Sequence, residues 1–344
     1  GLTTLERIEV FDVFRGKLEP TTSVMKFFAY LSLFPQLIAG PIVRATELLH
    51  QMDYPAKVDE AKRWEGTKLV VSGFFKKMVI ADSIVPVVDL AFSRATDEGS
   101  WLFWIIAGLL FRLQLYYDFS GYSDIARGLC RWMGYEIPLN FNHPYFSLNF
   151  GDYWRRWHLT MSSWFRDYIF FQLGGTRVSR LRVYGNILLT FFLSGLWHGA
   201  AWNFVVWGLV NGLYLCIERF VRWPETMRKI PLGIVLSAIW TQFGLLITGI
   251  LFRSNSLGQA VEIIVRIVTF SGAPFDGLQM LPAIVLLYYL GGWLFETISY
   301  YADKRPGLFS HRIFRFLEPA AVAALAFMCI FLRGPGSTFI YYQF

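Results

Sequence analysis

The chain has 344 residues, of which 17% are charged, 55% apolar and 18% aromatic, and its net charge is +7. An ordinary soluble domain carries about 25% charged and 45–50% apolar residues. The balance therefore excludes disorder, collagen, coiled coil and a disulfide scaffold. With a mean hydropathy of +0.41, an all-α polytopic membrane protein remains.

The basic residues fall between apolar runs, which points to membrane topology and not to nucleic acid. Cys130, Cys216 and Cys329 are widely spaced in apolar surroundings. They offer neither metal-ligand spacing nor a disulfide framework, and read as small buried hydrophobes. No metal site is expected. The opening Gly1-Leu-Thr-Thr-Leu-Glu-Arg7 has no initiator Met and no apolar leader, so the chain is expected to begin inside a longer polypeptide.

A membrane-crossing helix needs about 20 apolar residues. Residues 27–43 are uncharged but contain Pro35, Gly40 and Pro41, which predicts a broken or re-entrant segment. Residues 66–92 are apolar apart from Lys68, Lys76, Lys77, Asp82 and Asp89. Residues 99–117 carry one charge, Arg112. The next stretch, Tyr116–Arg127, reads as a polar interruption whose Asp118, Ser120, Ser123 and Asp124 cap a helix start, with Asp124 and Arg127 as an i,i+3 pair. Residues 187–217 hold no Asp, Glu, Lys or Arg. At about 1.5 Å per residue they are too long for one perpendicular span and too short for two. Two short legs meeting near Leu196–Ala201 fit, and one long tilted helix is the rival. Residues 232–252 and 278–295 read as spans, and 319–332 as a shorter apolar stretch. Basic residues collect in 142–182, 219–230 and 303–316, which places those loops together on the cytoplasmic side. No internal repeat is visible.

His198 has the most apolar setting of the histidines, in Phe192-Leu-Ser-Gly-Leu-Trp-His-Gly-Ala-Ala-Trp202. An ionisable group at membrane depth is a functional candidate by default. Desolvation favours the neutral imidazole, which can take a proton as a general base. The alternative is packing: Gly195-x-x-x-Gly199 and Gly208-x-x-x-Gly212 let helices approach, and His198 then simply bonds a neighbour. His158 lies in Gly151-Asp-Tyr-Trp-Arg-Arg-Trp-His-Leu-Thr-Met-Ser-Ser-Trp-Phe-Arg-Asp-Tyr168. That pattern fits an interfacial amphipathic helix with Trp and Arg at the headgroups. It equally fits an access route for an anionic thioester, with Arg155, Arg156 and Arg166 on its phosphates. Ser123 is not in a nucleophile elbow, since Ile125 replaces the second Gly. No phosphate-binding glycine loop, HExxH or CxxC is present.

Taken in order, several blocks resemble the membrane-bound O-acyltransferase (MBOAT) family, in its bacterial branch of alginate O-acetylation and teichoic-acid D-alanylation. They are Phe34-Pro-Gln-Leu-Ile-Ala-Gly-Pro-Ile-Val-Arg44, Tyr117-Asp-Phe-Ser-Gly-Tyr-Ser-Asp124, Asn140-Phe-Asn-His-Pro-Tyr-Phe-Ser147, Trp154-Arg-Arg-Trp-His158, Trp164-Phe-Arg-Asp-Tyr168, Leu173-Gly-Gly175, Gly195-Leu-Trp-His-Gly199 and the closing Phe339-Ile-Tyr-Tyr-Gln-Phe344. The resemblance implies a single domain over 1–344, an MBOAT-type helical bundle around a central cavity with re-entrant and interfacial helices. It implies that the family's first N-terminal helices are missing, and with them part of the cavity wall.

The resemblance also implies acyl transfer from a thioester, acetyl-CoA or another, to a hydroxyl, with no bound cofactor. His198 and His158 are its catalytic histidines. Arg155, Arg156, Arg166, Trp197 and Asp118 are the substrate-binding candidates. The implied setting is the bacterial inner membrane, with the lipid bilayer, an extracytoplasmic acetyltransferase or carrier protein and a surface polysaccharide as partners. D-alanyl or other acyl transfer to a cell-wall polymer is the alternative. A transporter or flippase of a polymer precursor, and a haem protein ligated by His158 and His198, are rivals of other classes. Gln172 departs from the branch's usual Pro before Leu-Gly-Gly, which is expected to loosen that turn.

Overall fold

The computed structural model describes residues 12–16, 18–37, 40–274, 276–278, 281, 283–305, 307 and 312–339, and no strand occurs among them. The first elements are short. Helix α1 (Val24–Leu31) is capped by Ser23, whose side chain accepts from Lys26 N at 3.2 Å. It stops at Ser32, and α2 (Phe34–Leu37) follows. This is the broken segment that Pro35 predicts, with Ile38 and Ala39 outside the described residues. Helix α3 (Ala45–Asp53) completes the region.

Helix α4 (Glu60–Phe74) passes through a π-helical stretch, Phe75–Ala81, into α5 (Asp82–Ser93). Helix α6 (Trp101–Trp132) starts at Ser100, whose hydroxyl accepts from Phe103 N at 3.3 Å, and continues for 32 residues. The expected interruption at Tyr116–Arg127 is therefore absent. Its polar residues lie mid-helix and are satisfied from outside. Lys77 pairs with Asp118 at 2.5 Å and Lys76 with Asp124 at 2.6 Å. Ser123 accepts from Asn140 at 3.3 Å. Asp124 and Arg127 do form their i,i+3 pair, at 3.7 Å. Both lysines come from the π-helical stretch, a local distortion that proteins use to redirect side chains. Glycines on both helices permit the close approach: a Cβ on Gly73 would meet Gly121 O at 2.5 Å, and one on Gly66 would meet Gly128 O at 2.9 Å.

After a loop come α7 (Phe150–Trp154), α8 (Leu159–Phe165) and a second π-helical stretch, Arg166–Phe170. Then α9 (Arg180–His198) and α10 (Trp202–Phe220) form an antiparallel hairpin. The turn falls at Gly199–Ala201, inside the expected Leu196–Ala201 window. Its legs are longer than expected, because α9 begins at Arg180 and α10 ends at Phe220. Each has 19 residues, about 28 Å, close to the hydrocarbon thickness of a bilayer. The single tilted helix is excluded. The small-residue pairs expected to bring helices together meet here, since a Cβ on Gly195 would collide with Phe204 O and one on Gly208 with Phe191 O.

Helices α11 (Trp223–Met227), α12 (Gly233–Arg253), α13 (Leu257–Val268), α14 (Ala283–Lys304) and α15 (Arg312–Phe331) follow. Among the described residues, α6, α12 and α15 are long and apolar enough to cross a membrane by length and composition. Helix α12 runs antiparallel to α6: Gly108 faces Leu246 and Ile250, and Arg112 reaches back to Gln242. The core gathers around α6, with Trp104, Phe111 and Tyr117 fully buried. Outward faces are apolar as well; Ile234, Ile239, Leu287, Leu290, Phe327 and Ile330 are exposed. Such contiguous apolar surface belongs against lipid. Cys130 and Cys329 are buried, Cys216 is half-buried, and all are free thiols.

The topology puts the basic segments at one end. Arg180 and Arg182 open α9, Arg219 closes α10, and the Arg222–Lys229 turn leads into α12. At the other end lies the hairpin turn, where Asn203 donates to Ser254 O at 3.1 Å, just past the C-terminus of α12.

Replacing Gly208 with Val should force α9 and α10 apart, because the new side chain has only backbone to displace. Overpacking of this kind costs about 1–3 kcal/mol. The measurement is the thermal midpoint in detergent of Gly208→Val beside Gly185→Val, where a Cβ meets nothing within 4 Å. The first should fall and the second should not.

Candidate active site

His198 is the last residue of α9 and is 9% exposed. Its imidazole is boxed edge-on by Trp197 at 5.0 Å, Trp207 at 5.0 Å and Phe252 at 5.2 Å. One side borders a void of about 40 Å³ lined also by Arg112, Tyr145, Trp157, Thr248 and Gly249. Trp197 itself is 48% exposed, so it forms an outer wall of the imidazole's box.

His158 is held by its backbone. It sits at the N-cap of α8 with φ +42°, a left-handed conformation uncommon outside glycine. Its Nδ1 accepts from Met161 N at 3.3 Å, satisfying a donor the helix start leaves open. With Nδ1 occupied as an acceptor, the neutral ring carries its proton on Nε2 and presents a donor there. Phe119 packs on the ring at 4.6 Å. Asn140 fixes the approach, accepting from Leu159 N at 2.9 Å through its backbone and from Thr160 Oγ1 at 3.0 Å through its side chain. Trp157, the residue before His158, lines the void that borders His198.

A larger pocket of about 440 Å³ lies alongside, lined by Trp154, Arg155, Ser162, Ser163, Arg166 and the 187–194 face of α9, with Leu215 opposite. Its α9 residues, Ile187, Thr190, Phe191 and Ser194, form one helical stripe. The next position on that stripe is His198, one turn or about 6 Å beyond Ser194. Arg155 and Arg166 have exposed side chains, 71% and 57%. Arg155 lies 3.8 Å from Asp152, and Arg166 pairs with Asp167 at 2.8 Å. Arg156 is tied to Asp152 at 3.0 Å and lines neither cavity. Asp118 is likewise elsewhere, held by Lys77 against the π-helical stretch. Arg155 and Arg166 thus border the larger pocket, His198 borders the void with Trp197 against its ring, His158 follows the void-lining Trp157, and Arg156 and Asp118 serve as ion-pair partners.

The turn before α9 is tight despite Gln172. Gly174 and Gly175 take φ of +96° and +57°, values only glycine adopts freely. Asn186 of α9 donates to Leu173 O at 3.0 Å and Gly175 O at 3.3 Å. The amide of Asn186 thus holds the turn that follows Gln172.

Three features escape sequence reading. Glu218 of α10 is buried and accepts from Phe150 N at 2.8 Å and Gly151 N at 3.2 Å, anchoring the start of α7. Arg112, legible only as the lone charge in its run, turns out to line the His198 void. His143, in a left-handed conformation at φ +49°, bridges Glu296 at 2.8 Å and Asp303 at 2.9 Å on α14. Tyr116 also donates to Glu296, at 2.8 Å.

These features define a helical polytopic membrane protein with two buried histidines, one of them beside a small aromatic void and on the α9 stripe that lines a basic-rimmed pocket. The chain belongs to the membrane-bound O-acyltransferase family, MBOAT, whose profile matches residues 14–240. It is 37% identical over 311 residues to a probable alginate O-acetylase of Azotobacter vinelandii, covering 87% of this chain and 60% of that protein. It is 35% identical over 265 residues to a peptidoglycan O-acetyltransferase of Helicobacter pylori, covering 74% and 50%. It is 28% identical over 258 residues to a teichoic acid D-alanyltransferase of Bacillus subtilis, covering 67% and 62%. The chain thus spans between half and about three-fifths of the length of these relatives.

The His143 bridge carries a pH signature. Burial alone would lower this imidazole, but the hydrogen bonds to Asp303 and Glu296 outweigh it and raise the pKa to about 9. A folded-state value above the unfolded one, about 6.5, means the stabilisation is complete below that pH and is lost as pH climbs through about 9. The thermal midpoint should therefore decline between about pH 7 and pH 10 by roughly 2–4 °C per kcal/mol lost. His143→Asn should lie lower at neutral pH and lack that decline.

Proposed function

We propose that this chain transfers an acyl group from a thioester on the side of the basic loops to a hydroxyl on the opposite side of the membrane. The observation that carries the reading is the α9 stripe, which runs from a pocket with arginines at its rim directly to a buried imidazole. Arg155 and Arg166 hold the donor's phosphates, consistent with acetyl-CoA or another acyl thioester as co-substrate and no bound cofactor. His158, a donor at Nε2, hydrogen-bonds the thioester and orients it. His198 takes the proton of the incoming hydroxyl, raising its nucleophilicity toward the carbonyl. That division gives the imidazoles different jobs, one donating and one accepting.

The end-to-end arrangement supports the two-sided reading. The pocket reaches Leu215 near the basic end, whereas His198 sits beside the hairpin turn at the other. By the rule that Lys and Arg collect in cytoplasmic loops, the donor comes from the cytoplasm. In this reading the protein lies in the bacterial inner membrane. The acceptor is a hydroxyl of an extracytoplasmic carrier protein or a surface polysaccharide such as alginate or peptidoglycan, in keeping with the named relatives.

With a radiolabelled acyl thioester in membranes, His198→Ala should abolish label transfer while expression and insertion remain normal. Ordinary transfer by that variant would remove the base role. His158→Ala should lower transfer by at least about 100-fold, the lower end for a lost acid–base or polarising group. Arg155→Ala and Arg166→Ala should each raise the KM for the thioester about tenfold, the worth of one charge-assisted hydrogen bond, with kcat unchanged. Arg156→Ala should leave that KM unaltered, since its guanidinium serves Asp152.

A further inference from the structure

Arg112 is the feature that the acyltransferase reading leaves without work. It lies within the first half of α6, 6% exposed, and it lines the same void as His198. Its guanidinium donates to Gln242 O at 3.1 Å and to Gln242 Oε1 at 2.7 Å, and rests 4.7 Å from the Tyr145 ring centroid. Every one of these partners is neutral. No carboxylate among the described residues forms an ion pair with it. A fixed charge buried this way is costly, and a neutral residue would serve Gln242 without that cost. An arginine offers five N–H donors, and the bonds to Gln242 engage only two of its nitrogens.

The guanidinium is also held still. Gln242 Nε2 donates to Tyr145 O at 2.8 Å, and Tyr145 Oη donates back to Arg112 O at 2.6 Å, closing the network. Gly249 clears space for the arginine stem, since a Cβ there would lie 3.0 Å from Arg112 Cγ. The void measures about 40 Å³. A site needs about 10–15 Å³ to hold a water, so the void admits a small group beside the guanidinium.

We propose that Arg112 is a catalytic residue, whose guanidinium stabilises the negative charge formed on the acyl carbonyl oxygen beside His198. The inference rests on the acyltransferase reading above. As His198 takes the hydroxyl proton, the acceptor oxygen bonds to the carbonyl carbon and the carbonyl π pair moves to oxygen. The resulting oxyanion is stabilised by the guanidinium. When the C=O bond re-forms, the C–S bond breaks, and the departing thiolate takes the proton back from His198. A preorganised cation in a site with little water is suited to this task, because it need not reorient as charge develops.

The test uses the full chain in lipid nanodiscs with acetyl-CoA and a hydroxyl-bearing acceptor polymer. Arg112→Gln should lower kcat by about 10²–10³-fold, as for a lost oxyanion donor, with the KM for acetyl-CoA unchanged. Arg112→Lys should recover part of that loss. A trifluoromethyl-ketone analogue of acetyl-CoA, whose hydrate mimics the tetrahedral adduct, should raise the thermal midpoint of the wild type more than that of either variant. This second readout needs only folded protein and separates lost chemistry from lost structure. An unchanged kcat in Arg112→Gln, a change confined to KM, or equal stabilisation by the analogue would overturn the role while leaving the acyltransferase reading intact. A wild-type chain that moves no label would overturn the acyltransferase reading and this inference with it.

Discussion

The contact on which the site depends is the glycine-to-glycine crossing of α9 and α10. Gly195 and Gly208 bring the backbones so close that neither position has room for a methyl group. Without water to drive association, membrane helices rely on such close packing. The crossing sets two neighbours at once. His198 lies one turn past Gly195, and Trp207 immediately precedes Gly208, so their rings meet at 5.0 Å. The same approach opens the Thr190–Ser194 stripe toward α8 and creates one wall of the larger pocket. A helix pair held farther apart would separate the imidazole from its aromatic box.

Around this crossing, polar groups at depth are satisfied by one another, because an unmet donor or acceptor in a dry interior costs about 1–3 kcal/mol. His158 accepts from the start of α8, Asn140 ties the preceding loop to Thr160, and Glu218 receives the first amides of α7. Each bond fixes backbone as well as side chain, so the loop carrying His158 is located from three directions. The left-handed φ at His143 and His158 belongs to the same economy. Non-glycine residues in that region are strained, and here the strain is held by bonds to α14 at one position and to α8 at the other. Arg112 stands apart in this scheme, since it brings a charge that its neutral partners do not cancel.

Much of this was legible in the sequence, for physical reasons that differ from element to element. The Pro35–Pro41 break, the apolar run of α12 and the turn at Gly199 follow from local rules of donors, length and small residues. The charge-free stretch singled out His198 because an ionisable group is costly to keep in such a run, while the packing alternative at Gly195 and Gly199 was equally legible there. Tyr116–Arg127 misled because its acids have the composition of a helix cap. The lysines that neutralise them come from residues 76 and 77, about 40 positions earlier, through a π-helical distortion with no sequence signature. The same limit hid Arg112, whose significance depends on Gln242 and Gly249 in a different helix. Arg155 and Arg156 are adjacent and chemically identical, yet one lines the pocket and the other holds Asp152. Only the three-dimensional course of α7 separates them.

The void beside His198 is shaped by rings drawn from several elements. Its walls are the rings of Tyr145, Trp157, Trp207 and Phe252, with Leu245 and Thr248 from α12. Several of these rings pack on one another: Tyr153 stacks on Trp157 at 5.6 Å, and Trp207 meets Phe252 at 5.4 Å. Close-packed aromatics yield little, because displacing one ring strains its neighbours. The space beside His198 is therefore set by rings that already touch, and its shape is fixed by the helices and loops that carry them.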